Sequence, residues 1–324
     1  MKKFLPCLVI FTLVHLLLFT SCSDDELVIL QGNQSQLDAY KQIVQSVTTT
    51  TATGLGSAFG QMQSDSTEMA HLVQAFTDPV RYFDDQSGYI FIETINGWSV
   101  AHPTDKSIQG TYRLNAQDIN GKYYHHDFVN TARHIGYGFV EYYFNDPATG
   151  TIEKKLTSIK IIPGYDWFVA SGFYGSGEDI YYSDQHVHEM MATQNVIVTA
   201  MGIGGVFDAF ISDSLERVDF CRTFIRNIRF FDDHSGYYFI YDFDANNIAH
   251  ATQPDLQGQN LYDYRDSKGN YVIRDLVSIA ENIDQGYYNY YWNNPVTGKE
   301  EPKRAFVKRI PGTQYLIGSG IYLK

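Results

Sequence analysis

Two hydrophobic periods run along this chain, one helical and one of period two, and the change from the first to the second happens twice. From Asn33 to about Ser66, Leu37, Tyr40, Ile43, Val44 and Val47 recur at helical spacing in a Thr- and Gln-rich background, which predicts a long, thinly amphipathic helix. Ser64 to Thr77 predicts a shorter helix opened by the capping sequence Ser-Asp-Ser. Beyond it the period falls to two and turn residues crowd in, as in an antiparallel sheet. Tyr89 to Thr94 and Trp98 to Ala101 read as strands joined by the tight turn Asn96-Gly97. After a loop to Gly121, Tyr123 to Ile135 reads as a short helix. Gly138 to Asn145, Glu153 to Ile162 and Trp167 to Phe173 read as three more strands, with Pro147 to Gly150 and Pro163-Gly164 as turns.

The whole series returns 148 residues later. Phe83-Asp-Asp-Gln-Ser-Gly-Tyr89 reappears as Phe231-Asp-Asp-His-Ser-Gly-Tyr237, and one offset holds without a gap to Tyr174 and Tyr322. It also reaches back into the helices, where Gly54 and Gly56 match Gly202 and Gly204, so Val187 to Ala209 and Ser212 to Phe224 are the second long and short helices. A fixed period of this length means two copies of one domain. The chain is therefore expected to be α+β, with tandem domains at 37–178 and 179–324. Each has a sheet of about five strands, a long leading helix and shorter helices. In the second copy Asp244 to Asn247 replaces the Asn-Gly turn and is expected to reach positive φ through its Asn residues.

With 324 residues, 44% apolar and 15% aromatic, the chain can fill two ordinary cores. Its net charge of -13, two units more negative without Lys2 and Lys3, offers no basic footprint for nucleic acid or anionic lipid. Residues 1–22 read as an export signal: Lys2-Lys3, an apolar run from Phe4 to Phe19, then Phe19-Thr20-Ser21-Cys22. The segment resembles a bacterial lipoprotein signal, with Cys22 lipidated as the new N-terminus, although Phe19 departs from the usual Leu. Residues 23–36 are expected to be a flexible acidic and polar linker. Ser23-Asp24-Asp25-Glu26 resembles a tag that sends some lipoproteins to the cell surface. The expectation is an outer-membrane lipoprotein, on the periplasmic face or the surface, attached to membrane only through its lipid. Cys7 falls in the signal and Cys221 alone remains, in a helix, so a buried inert thiol is expected and no disulfide.

The repeated residues also resemble a family. Phe-Asp-Asp-x-Ser-Gly-Tyr, Ala-His, Asp-x-x-Gly-x-Tyr, Gly-x-x-x-Tyr-Tyr-(Phe/Trp)-Asn-x-Pro, a Lys and a final Ser-Gly-(Phe/Ile)-Tyr occur in order twice. They resemble Cache domains of the type-2 kind, extracytoplasmic ligand-sensing modules of PAS-like fold found in chemoreceptors and sensor kinases. The resemblance covers Leu37 to Tyr174 and Val187 to Tyr322. It implies a pocket between the concave face of each sheet and the loops above it. Copy one keeps the family's His102-Pro103 and Trp167, whereas copy two has Ala251 and Tyr315 there, which implies drift in its pocket.

By that resemblance Tyr89, Phe91, Tyr142 and Phe144 wall the first pocket, and Tyr237, Phe239, Tyr290 and Trp292 the second, unless these rings merely fill the core. Lys155 and its twin Lys303 are candidate anion partners, which suits a short organic carboxylate. Lys160 and Lys308 are also shared, so the sequence leaves open which lysine points inward. His102 and His250 would donate to the ligand or close the loop. Neither His186-Val-His188-Glu189 nor His125-His126 has zinc-site spacing, Asp242 to Asn246 lacks the Gly and Glu of a calcium loop, and no catalytic motif occurs. The expectation is a small-molecule-binding, sensory or ligand-capture lipoprotein with no catalysis, no cofactor and a protein partner for output. The rival reading is an interaction or adhesion module with collapsed pockets, binding protein or glycan.

Overall fold

A computed structural model describes residues 34–62, 65–175 and 177–323. The export signal, Cys22 and most of the 23–36 linker lie outside the described residues. A two-residue strand that the sequence did not announce, β1 (Gln34–Ser35), pairs antiparallel with β7 (Tyr181–Tyr182). Two residues are too short to show an alternation. The long helix α1 (Gln36–Met62) follows, then α2 (Ser66–Thr77). The cap of α2 is Asp65, whose carboxylate accepts the N–H groups of Thr67 and Glu68; Asp213 does the same for the corresponding helix of copy two.

Copy one then builds a five-stranded antiparallel sheet from β2 (Ile90–Thr94), β3 (Ser99–Ala101), β4 (Tyr137–Asn145), β5 (Ile152–Ile161) and β6 (Trp167–Tyr174), in the order β3-β2-β6-β5-β4. Helix α3 (Tyr124–His134) precedes β4. Copy two repeats this with α4 (Asp184–Ala209), α5 (Ser214–Ile225), β8 (Phe239–Asp242), β9 (Asn247–His250), α6 (Val272–Ile283), β10 (Gln285–Asn293), β11 (Glu300–Arg309) and β12 (Tyr315–Tyr322). The strand order, β9-β8-β12-β11-β10, is the same. The α+β reading with two five-stranded sheets holds.

Each sheet is covered on both faces. In copy one, Ile90, Ile92, Val169 and Phe173 share a core with Ile43, Val44 and Val47 of α1, and Thr48 and Ser158 hydroxyls bond across at 2.9 Å. The opposite face, with Tyr89, Phe91, Tyr142, Ile159, Phe168 and Ala170, packs beneath α3 as a separate cluster. Helix α4 is long and apolar enough to cross a bilayer, but 67% of its most apolar stretch is buried inside the protein. Packing on β11, β12, α1 and α2 accounts for its all-round hydrophobicity, so it is a core helix.

The repeated glycines join the copies. A Cβ on Gly54 would collide with the Phe224 ring of α5, and one on Gly202 with the Phe76 ring of α2, while those two rings stack at 5.5 Å. Each long helix thus gives up a side chain to admit a phenylalanine from the other copy. One turn differs from expectation. Positive φ in the β8–β9 turn falls on Ala245 (65°), while Asn246 instead bonds Asp242 through both its backbone and side chain. Phe83 and Phe231 also sit at positive φ, a strained setting for a ring-bearing residue that recurs in both copies.

Overpacking a helix crossing costs about 1–3 kcal/mol. Gly202→Val is expected to lower unfolding stability by that amount in chemical denaturation, and Phe76→Leu to recover part of the loss in the double variant. Additive losses would contradict the interlock.

Candidate ligand-binding site

The sites form where strand alternation delivers one lysine inward. On β5, Lys155, Thr157 and Ile159 share the face under α3, while Leu156, Ser158 and Lys160 share the other. Lys155 is 0% exposed and Lys303, its twin on β11, 1%. Lys160 is half-buried with its amine 5.3 Å from the Tyr137 ring, and Lys308 is ion-paired with Asp284. The structure therefore brings Lys155 and Lys303, not Lys160 and Lys308, among the rings.

Neither buried amine has a hydrogen-bond partner. Lys155 Nζ stands 3.7 Å from the Tyr89 ring centre, 4.8 Å from Tyr174, 5.6 Å from Phe91 and 5.8 Å from Phe144. Lys303 Nζ stands 4.0 Å from Tyr237, 5.1 Å from Tyr322 and 5.4 Å from Phe239. Ring faces attract the ammonium form, but burial disfavours it more. Burial pushes Lys303 down to about 7, and Lys155 well below its ordinary value despite the opposing pull of Asp146 in the β4–β5 turn. Asn294 stands where Asp146 would be in copy two.

His102 and His250 lie against the same rings, His102 at 5.4–5.6 Å from Tyr89, Phe91 and Phe144, and His250 at 5.2 Å from Tyr237. Each Nδ1 accepts a backbone N–H at 3.1 Å, from Asp105 and Gln253, which leaves Nε2 as the donor atom of the neutral ring. Burial, then the neighbouring lysine, pushes both imidazoles down to about 3. The histidines thus close the loop and keep a second nitrogen for the chamber. Tyr174 and Tyr322 were not singled out from the sequence. Their hydroxyls donate to the carbonyls of Asn145 and Asn293 at 2.7 Å and meet Tyr89 and Tyr237 at 3.3 and 3.1 Å, roofing each lysine. The signal was present, since both end the repeated Ser-Gly-x-Tyr.

The far walls differ. In copy two, Phe239, Tyr241, His250, Val272, Ile273, Leu276, Tyr290 and Trp292 close on one another and leave no space that a water molecule could enter. Pockets for drug-sized ligands run to roughly 300–1,000 Å³, so in this conformation the gap is shut. In copy one the corresponding positions hold Phe91, Glu93, His102, Tyr124, His125, Phe128, Tyr142 and Phe144, with Tyr124 and Tyr142 stacked at 4.4 Å. Glu93 escaped the sequence reading and His125 was weighed there only as a metal ligand, because neither has a twin. The expected drift at Trp167/Tyr315 does not touch the chamber: Trp167 packs on Phe59 of α1, on the other face. The change of Pro103 to Ala251 also leaves one contact intact, because Arg81 and Arg229 donate to the two backbone carbonyls alike. Cys221 is buried, and burial pushes its thiol up to about 12.

Over 88 residues the chain is 38% identical to the sensor histidine kinase MctS of Rhizobium johnstonii, which spans 27% of this chain and 19% of that protein. Over 146 residues it is 27% identical to the methyl-accepting chemotaxis protein McpP of Pseudomonas putida, spanning 44% of this chain and 26% of that one. The chain therefore spans about a fifth to a quarter of the curated relatives it matches. A solved structure described as the basis for carboxylic acid recognition by a Cache chemosensory domain is 25% identical, with a TM-score of 0.35, covering 41% of this chain and 91% of that one. These relatives correct the expected placement. Sensor kinases and chemotaxis receptors are signal transducers of the inner membrane, so the likeness points there and not to an outer-membrane or surface lipoprotein. The matched region is an extracytoplasmic sensory domain, and among the described residues no cluster of His, Cys, Asp or Glu is placed to hold a metal. The model of the Cache domain family matches residues 30–193 and 220–324, most of the chain, and the protein belongs to that family.

Proposed function

We propose that each tandem unit, residues 37–178 and 179–324, captures a short organic carboxylate. Lys155 or Lys303 supplies the counter-charge, and His102 or His250 donates through Nε2. The observation that carries this reading is the buried amine without a partner. Leaving an ammonium unpaired in a dry interior costs several kcal/mol, and a methionine would fill the same space without that cost. A carboxylate of a few heavy atoms supplies the missing anion, and the rings have to part to admit it, because the gap among them in copy two has no room for a water molecule. A module that binds only through its surface has no use for either buried, unpartnered lysine, which favours ligand capture over the adhesion reading. Output would pass to a signalling partner of the kind its relatives contain, and a lipidated Cys22, exposed as the new N-terminus when the signal before it is removed, would tether the chain.

The protonation sign follows from burial. The unfolded chain holds the lysine proton up to about pH 10.4, while folded Lys303 releases it near 7. Between those values the unfolded state binds more protons, so ligand-free stability rises with pH. A bound carboxylate reverses this by favouring the ammonium. Above pH 7, binding at Lys303 must take up a proton and weakens about tenfold per pH unit.

Calorimetric titration with propionate is expected to show binding with proton uptake above pH 7, lost by tenfold or more in Lys155→Met at the first site and Lys303→Met at the second; no binding at either would overturn the proposal. In the ligand-free protein, Lys303→Met is expected to remove a slope of about 1.4 kcal/mol per pH unit from stability between pH 7 and 10. An unchanged slope would mean that the amine is solvated. Cys22→Ser is expected to abolish fatty-acid labelling and release the chain from membranes; continued membrane retention without label would instead assign the tether to the apolar run itself.

A further inference from the structure

The rings around each amine are not equally free to move. Tyr89 and Tyr237 are 1% exposed, Phe91 2% and Phe239 3%, so in both copies these walls belong to the interior. Phe144 is half-buried, but its counterpart Trp292 is buried and its indole N–H donates to Gln253. Of the rings that face the amine, only Tyr174 and Tyr322 are half-buried in both copies, and they stand 4.8 and 5.1 Å from it. Each is the last residue of its strand and pairs in register with the lysine it covers. Its hydroxyl is held by one bond at the surface, to the carbonyl of Asn145 or Asn293, and by the longer contact with Tyr89 or Tyr237. Open space lies beyond: Tyr174 borders a cleft of about 500 Å³ with Phe83, Ser87 and Tyr182, and Tyr322 one of about 270 Å³ with Phe231, Ser235 and Asn294.

We propose that Tyr174 and Tyr322 are the doors of the two sites: each swings outward into its cleft to open a path to the lysine, and the tyrosine–carbonyl bond is the latch that shuts it. What passes the door rests on the carboxylate reading of the lysines; the door itself does not. Opening this way breaks one hydrogen bond and turns one side chain, while the sheet, the covering helix and the histidine loop stay in place. Entry past Tyr89 or Phe91 would instead pull a whole buried ring out of a close-packed face. Asp84, Asp85 and Asp233 at the outer clefts are exposed, so an anion approaches against a repulsion that salt screens, and passage is governed by the ring.

The test reads both amines in the full chain. Reductive methylation with formaldehyde and cyanoborohydride is run at about pH 8, above the value near 7 at which Lys303 releases its proton, and peptide mass spectrometry gives the two labelling rates. Tyr174→Ala is expected to speed labelling of Lys155 by tenfold or more and leave Lys303 unchanged, and Tyr322→Ala to do the reverse. Tyr174→Phe and Tyr322→Phe keep the ring and remove only the latch, so a rise of about two- to tenfold at the matching lysine is expected. These variants decide the matter if the alanine ones do not fold. No acceleration, or equal acceleration at both lysines, overturns the inference. Stopped-flow mixing of Tyr322→Phe with propionate, read by tryptophan fluorescence, is expected to raise association and dissociation rates together, because the latch is the same with ligand inside. Faster dissociation alone would make Tyr322 a fixed wall of the site and contradict the door. Labelling as expected with no propionate bound would leave the door standing and overturn the carboxylate reading instead.

Discussion

A primary amine enclosed by aromatic rings, with no acid in hydrogen-bonding contact, is the constraint around which each half of this chain is arranged. Lys155 and Lys303 occupy the strand between the sheet's centre and its edge, paired in register with Tyr142 and Tyr290. From there their stems pass under the tyrosines of the neighbouring strands. Everything that isolates them from water is structural: a sheet sealed from behind by a long helix, a short helix over the front, and a tyrosine pair hydrogen-bonded as a roof. The depressed basicity of Lys303 and the neutral state of His250 follow from that one enclosure, and the same holds in copy one.

The wall that is neither sheet nor helix is the loop after the second strand, and the histidine fixes it. Because Nδ1 of His102 and His250 accepts a loop N–H, anything that engages Nε2 acts on a ring already bonded to that loop. Behind the sheets, the exchange of Phe76 and Phe224 into glycine gaps ties the copies through their helices. The ligand end and the connecting end of each copy are thus opposite faces of the same five strands.

Much of this was legible in the sequence, because a gapless period of 148 fixes two copies and the switch from helical to two-residue spacing fixes their element order. The direction of the lysines was not. Lys155 and Lys160 lie on opposite faces of one strand, but a sheet covered on both sides buries Thr157, Ser158 and Ile159 in succession and erases the alternation that would have told them apart. Searching for paired residues found the shared chemistry and, for the same reason, missed Glu93 and set His125 aside once its metal reading failed, so their buried pairing went unseen. The membrane placement failed for a different cause: it relied on a short N-terminal resemblance, and the relatives of the folded part point elsewhere.

The most direct measurement is the protonation of the two amines themselves, followed by nitrogen NMR of the lysine side chains with Lys155→Met and Lys303→Met for assignment. The account predicts that both titrate far below the ordinary lysine range in the free protein, Lys303 near 7, and move up by at least one unit when saturated with a short carboxylate. Titration near 10.4 without ligand, or no movement on adding it, would contradict the buried, unpartnered amine as the centre of the site.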